Sequence, residues 1–206
     1  MHSFHSICVK EVDAPVTTKS HILPIYPTSS FVFENIEQGI DIFTGKEQGH
    51  VYSRYGNPTV EAVAAKLAAL EVYGSDIEAS GIMVSSGMSA ISTLFMATLK
   101  AGDKVLSQGN LYGGTTELLQ KIFKNLGVEP IFTNLRDLDQ TETILKENPS
   151  IKMLYFETPA NPTLACVDIQ ALSALGKKYG AWTAIDNTFP TPYFQQPLIL
   201  GCDFVI

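Results

Sequence analysis

An α/β domain is predicted, with a mostly parallel sheet, helices on both faces and an extended N-terminal arm. Three observations carry this reading. Short apolar runs alternate with amphipathic stretches from residue 81 to the end, which is the rhythm of βαβ units. Those runs are short and bounded, as suits strands covered on both sides. The first 50 residues lack periodicity and carry Pro15, Pro24 and Pro27, and the texture changes at Asn57.

Taken in order, the arm spans 1–56 with one short helix near 30–40, and the α/β domain spans 57–206. NPTVEAVAAKLAALEVYG sets Val60, Val63, Ala64, Leu67 and Leu70 at helical spacing. Pro58 suits its first turn and Gly74 lies past its end. Strands are expected at 81–86, 103–108, 128–134, 151–158 and 181–186, with another beginning at 202. Helices are expected at 87–100, 115–127, within 135–148, and at 168–180.

Composition narrows the function. Charged residues make up only 17% of the 206, so the interior is large, subunit contact is extensive, or both. A net charge of −7 with no basic stripe argues against nucleic acid. Cys8, Cys166 and Cys202 are odd in number and lack CxxC spacing, which argues against a disulfide framework or a metal site. No apolar run approaches the ~20 residues of a membrane span, and no leader is evident. The expectation is a cytoplasmic protein.

Ligands of such sheets bind at the C-terminal strand ends. The loop after 86 runs Ser85-Ser86-Gly87-Met88 into a helix. Free amides at a helix start make an anion cradle, and the same residues would serve as an ordinary serine cap. Tyr112 stands before Gly113 and Gly114, placed to stack on a planar ligand or to pack a turn. Asn161 lies in a loop stiffened by Pro159 and Pro162. Asp186 ends the run WTAID. It either caps a turn through the Asn187 and Thr188 amides or awaits a cation. In the arm, Tyr52 and Arg54 are spaced to reach one anion together, or Arg54 is merely solvated.

YSRYGNPT, SSGMSAI, LYGGT, ETPANPT and AIDNTFPTP, in this order, resemble the Cys/Met-metabolism family of pyridoxal-phosphate enzymes. This family includes cystathionine γ-synthase, cystathionine γ-lyase, methionine γ-lyase and O-acetylhomoserine sulfhydrylase. The likeness runs from about Pro24 to Ile206. It implies the aspartate-aminotransferase-like fold type I and pyridoxal 5'-phosphate as cofactor. The reaction it implies is γ-elimination or γ-replacement on a small amino acid.

The resemblance also implies site roles. Gly87 and Met88 would hold the phosphate, with Tyr52 and Arg54 joining from an adjacent subunit of a homo-oligomer, at least a dimer and typically a tetramer. Tyr112 would stack on the ring, Asn161 would lie near its phenolic oxygen, and Asp186, with Thr188 close by, would pair with its nitrogen. Tyr112 and Asp186 are the expected catalytic residues. Gly114 stands where typical methionine γ-lyases carry a cysteine, which favours cystathionine or homoserine-ester chemistry.

The family's Schiff-base lysine would follow CDFVI in a Ser-x-Thr-Lys stretch, and a C-terminal domain would follow that. Neither lies within the twelve-lysine sequence to Ile206, and Lys19 in TTKS does not match. The expectation is the N-terminal part of a longer enzyme. The alternative is a naturally short, inactive chain binding the cofactor or another phosphorylated metabolite without a covalent bond.

Overall fold

The computed structural model describes residues 20–206 as two units, one ending at Val60 and one spanning Glu61–Ile206. Cys8, Pro15 and Lys19 lie outside the described residues. In the first unit, α1 (Ile36–Phe43) starts where Asn35 accepts the Gln38 amide at 2.8 Å. That cap sets the helix later than the 30–40 expected, because Ser30 and Phe31 are held extended by an antiparallel bridge to Tyr52 and a bond from the Phe31 amide to the Val51 carbonyl. Asn57 is buried and donates to the Tyr26 carbonyl and the Ser53 hydroxyl, both at 3.0 Å.

From α2 (Pro58–Glu71) the chain enters the second unit. It continues through α3 (Gly87–Thr98), β1 (Lys104–Gln108) and α4 (Gly113–Glu117). Next come β2 (Glu129–Thr133), α5 (Leu138–Glu147) and β3 (Ile151–Glu157). The unit ends with α6 (Ile169–Tyr179), β4 (Trp182–Asp186), α7 (Thr191–Phe194) and β5 (Phe204–Val205). Local chemistry sets the helix boundaries. Asp137 and Asp168 cap α5 and α6, each accepting an amide at 2.9 Å. Gly180 closes α6 in the left-handed conformation that glycine adopts without strain.

The five strands are parallel, in the order β2-β1-β3-β4-β5. Successive side chains point to opposite faces, so each central strand feeds two cores. Leu106, Leu154, Phe156 and Ile185 pack with Leu145 of α5 and Leu172 of α6. Val105, Met153, Tyr155 and Ala184 pack with Ile91 and Phe95 of α3, and with Leu119 and Phe123.

Three expectations need correction. Residues 81–86 are not a strand. They run without a pairing partner, with Ile82 86% exposed, because apolar character is local while a strand exists only beside another. The helix expected at 115–127 begins earlier, at Gly113, and widens into a π-helical turn over Leu118–Phe123. The α7 turn after Asp186 was not anticipated, since its prolines read as breakers, although Pro192 sits in the first turn where proline is tolerated.

The sheet order reverses between β1 and β3. From β1 the chain crosses to β2 on one side, and then to β3, β4 and β5 on the other. The crevice outside such a reversal is where open α/β sheets bind ligands. Here Gln108 and Glu157 stand at its two lips.

Candidate active site

At the start of α3, Ser86 is extended, and its hydroxyl accepts the Ser89 amide at 3.1 Å while its carbonyl accepts the Ala90 amide at 3.0 Å. The Gly87 and Met88 amides keep no acceptor among the described residues. A Cβ at Gly87 would meet nothing within 4 Å, so the helix start is uncrowded on that side. Two free amides at the positive end of a 12-residue helix form an anion cradle.

Tyr112 caps α4, accepting the Thr115 and Thr116 amides on its carbonyl at 3.0 and 3.1 Å. Its half-exposed ring lies over Gly114. A Cβ there would stand 2.7 Å from Tyr112 Cε1 and 3.0 Å from Met88 Sδ. The missing side chain therefore lets the aromatic ring and the anion cradle approach each other.

Glu157 connects this loop to the next. The residue is 6% exposed. Oε2 accepts the Tyr112 amide and Oε1 the Asn161 amide, both at 2.7 Å. The Gln108 side chain donates to the Glu157 carbonyl at 2.9 Å and accepts its amide at 3.3 Å. The Asn161 side-chain amide is exposed and makes no hydrogen bond among the described residues.

Asp186 is the register partner of Glu157 on the adjacent strand. Its Oδ1 accepts the Thr188 amide at 3.0 Å, so half of the turn-capping reading holds. The Asn187 amide goes to the Ile206 carbonyl at 2.7 Å instead, and Asp186 Oδ2 has no partner among the described residues. Asn187 is buried and exchanges bonds with Gln195, whose amide reaches the Thr158 carbonyl at 3.0 Å. Asn187 also donates to Glu71 at 3.4 Å, and burial raises the Glu71 carboxyl above its usual range. This network holds the loop that follows Asp186.

The strand ends carry a negative field. Burial pushes the Glu157 carboxyl upward, the Asn161 and Tyr112 amides pull it back, and Asp186 adds a further upward push. Burial, then Asp186, raises the Tyr155 phenol well above its usual range. The Tyr155 and Thr115 hydroxyls on this face are buried beside one another and reach no further partner among the described residues. Neither Glu157 nor Asp186 forms an ion pair with a lysine or arginine among the described residues. The open amides of Gly87 and Met88 and a carboxylate oxygen without a cation among the described residues are thus linked through Tyr112 and Glu157, a combination suited to a ligand with an anionic and a cationic end.

Of the expected residues, the fold brings together Gly87, Met88, Tyr112, Asn161, Asp186 and Thr188 through these contacts and pairings. Tyr52 and Arg54 belong to the first unit, where the Arg54 guanidinium lies 5.2 Å from the Tyr52 ring centroid, with no acidic partner among the described residues. Sequence reasoning missed Glu157, Gln108 and Asn187. A signal was present for Glu157, since it closes the buried run IKMLYFE just as Asp186 closes WTAID.

Residues 6–206 match the family model described as Cys/Met metabolism PLP-dependent enzyme. The chain belongs to this family. It is 43% identical over 185 residues to an L-methionine gamma-lyase of Fusobacterium nucleatum, covering 89% of this chain and 45% of that protein. An O-succinylhomoserine sulfhydrylase of Pseudomonas aeruginosa is 38% identical over 204 residues, 99% of this chain and 49% of its own. Among solved structures, a putative O-acetylhomoserine (thiol)-lyase from Campylobacter jejuni, with N'-pyridoxyl-lysine-5'-monophosphate, superposes with a TM-score of 0.82 at 34% identity over 92% of this chain and 45% of that one. The fold is that of these family members, and the chain spans less than half their length. No helix among the described residues is long and apolar enough to cross a membrane.

Proposed function

We propose that the protein uses pyridoxal 5'-phosphate in sulfur amino acid metabolism, for γ-elimination or γ-replacement on methionine, cystathionine or an O-acylhomoserine. The observation that carries this reading is the pairing of the Gly87–Met88 cradle with the unpartnered oxygen of Asp186 at one strand-end crevice. When bound, the cofactor supplies an electron sink for the substrate's amino-acid carbon. The Gly87 and Met88 amides bind its phosphate, Tyr112 stacks on its ring, and Asn161 offers its side-chain amide to the ring's polar edge. Asp186 Oδ2 holds the proton on the ring nitrogen, and the Thr188 amide orients Asp186 through Oδ1. Tyr52 and Arg54 reach the phosphate site of a neighbouring copy in a homo-oligomer. The setting is cytoplasmic, a reading supported by the free thiols of Cys166 and Cys202.

Titration of the intact protein with pyridoxal 5'-phosphate is expected to give a saturable visible absorption band. A panel of methionine, cystathionine, cysteine and O-acylhomoserines, read by keto-acid and thiol release, then assigns the reaction. No uptake of the cofactor overturns the proposal. If borohydride followed by denaturation releases all the cofactor, the protein is a non-covalent binder.

Gly114→Ala tests the stacking role. The added methyl is expected to displace the Tyr112 ring while leaving the fold, because the three nearest atoms it meets are all side-chain atoms. Cofactor affinity should fall roughly 2- to 10-fold, the range of a lost aromatic contact. Unchanged affinity in Gly114→Ala beside a clear loss in Tyr112→Ala would refute this account of Gly114.

A further inference from the structure

We propose that Glu157 is a positioning residue that joins the two ligand-bearing loops flanking the sheet reversal, so that Tyr112 and Asn161 are set in place as one unit. This rests on the cofactor reading above. Tyr112 and Asn161 are 49 positions apart in the numbering, and each donates its backbone amide to a separate oxygen of one carboxylate at 2.7 Å. Only an ionised carboxylate offers two acceptor oxygens with no donor of its own. Charge-assisted bonds to amides are also short and strong.

The carboxylate is itself held fast. Its backbone is fixed on both sides of the peptide by the Gln108 side chain, and its residue stands in register with Asp186. The loops are stitched a second time, further out, by the Asn110 side chain donating to the Thr163 hydroxyl at 3.0 Å. Glu157 is too deeply buried to be a general ligand contact, at 6% exposure. Its two oxygens are already engaged by the backbone of the residues that face outward.

Glu157→Gln is the decisive variant, because it preserves volume and the Gln108 contacts but offers one acceptor oxygen and one unwanted donor. In the intact protein, hydrogen exchange should find the Tyr112 and Asn161 amides protected. In Glu157→Gln one of them should exchange about 10- to 100-fold faster, the effect of losing a bond to a charged group. Exchange elsewhere in β1 and β3 should be unchanged. The dissociation constant for pyridoxal 5'-phosphate should rise about 10-fold or more, and the circular dichroism of the bound cofactor should shrink. Glu157→Ala should release both amides. Uniformly faster exchange across the sheet, with unchanged cofactor affinity, would assign Glu157 a structural role only and overturn the proposal. Unchanged exchange at both amides would overturn it as well. A wild-type protein that protects both amides but takes up no pyridoxal phosphate overturns the parent reading, and this one with it.

Discussion

Asp186→Asn is expected to leave the fold intact and to remove nearly all turnover. The substitution keeps an oxygen for the Thr188 amide, which now bonds Oδ1 at 3.0 Å, and keeps the side-chain volume. It removes the negative charge that the free oxygen presents to the ligand. Removing one preorganised electrostatic partner from an active site costs on the order of 10²- to 10³-fold in rate. The measurement is kcat on the best substrate of the panel, beside a thermal melt of the same preparation. A variant that melts like wild type and turns over at near wild-type rate would show that Asp186 serves only as the turn cap.

Phe95→Ala is expected to produce the largest loss of stability. Phe95 is fully buried in α3, with its ring edge-on to Phe123 at 5.3 Å and to Tyr155 at 5.2 Å. Truncating a buried phenylalanine costs about 3 to 5 kcal/mol through lost transfer energy and the cavity left behind. Domains of this kind are stable by only about 5 to 15 kcal/mol. The damage should also reach the site, because Tyr155 and Glu157 lie two residues apart on the same face of β3. Denaturant unfolding should show a lower midpoint with the same slope, and cofactor affinity should fall in parallel. Phe95→Leu should recover most of the loss, since it restores much of the volume. A cost below about 1 kcal/mol for Phe95→Ala would mean that the core collapses onto the gap.

What the sequence made legible follows from the range of the forces involved. β1, β3 and β4 could be placed because burial on both faces writes an apolar run into consecutive residues. Gly87 and Met88 could be placed at a helix start and Asp186 at a strand end because both are local features. The segment 81–86 carries the same apolar signature and has no strand beside it, so its expectation failed on a non-local requirement. The start of α4 was missed for a related reason. Gly113 and Gly114 belong by sequence to the loop before the helix expected from 115, yet the Tyr112 amide is held from afar by Glu157. Glu157 joins a residue four positions on to Tyr112 and Gln108 far back in the chain, and Asn187 joins Gln195 to Glu71, so neither was singled out as a site residue. For Asp186 the turn-capping reading holds at one oxygen, through the Thr188 amide, and the cation-binding reading is the one carried into the proposed function.

The order of the strands has a consequence for how the protein is made. After β2 pairs on one side of β1, each later strand joins the opposite, growing edge in the order of synthesis. A chain emerging from the ribosome can thus lay down its sheet without undoing any earlier pairing, although β1 must wait for partners far along the chain. The crevice is completed in sequence as well. The start of α3 and Tyr112 are translated first, then Glu157, whose carboxylate accepts amides from both loops, and after it Asp186, its register partner. A ribosome stalled between β3 and β4 would hold a nascent chain carrying the open Gly87 and Met88 amides, Tyr112 and Glu157, with Asp186 still to be made.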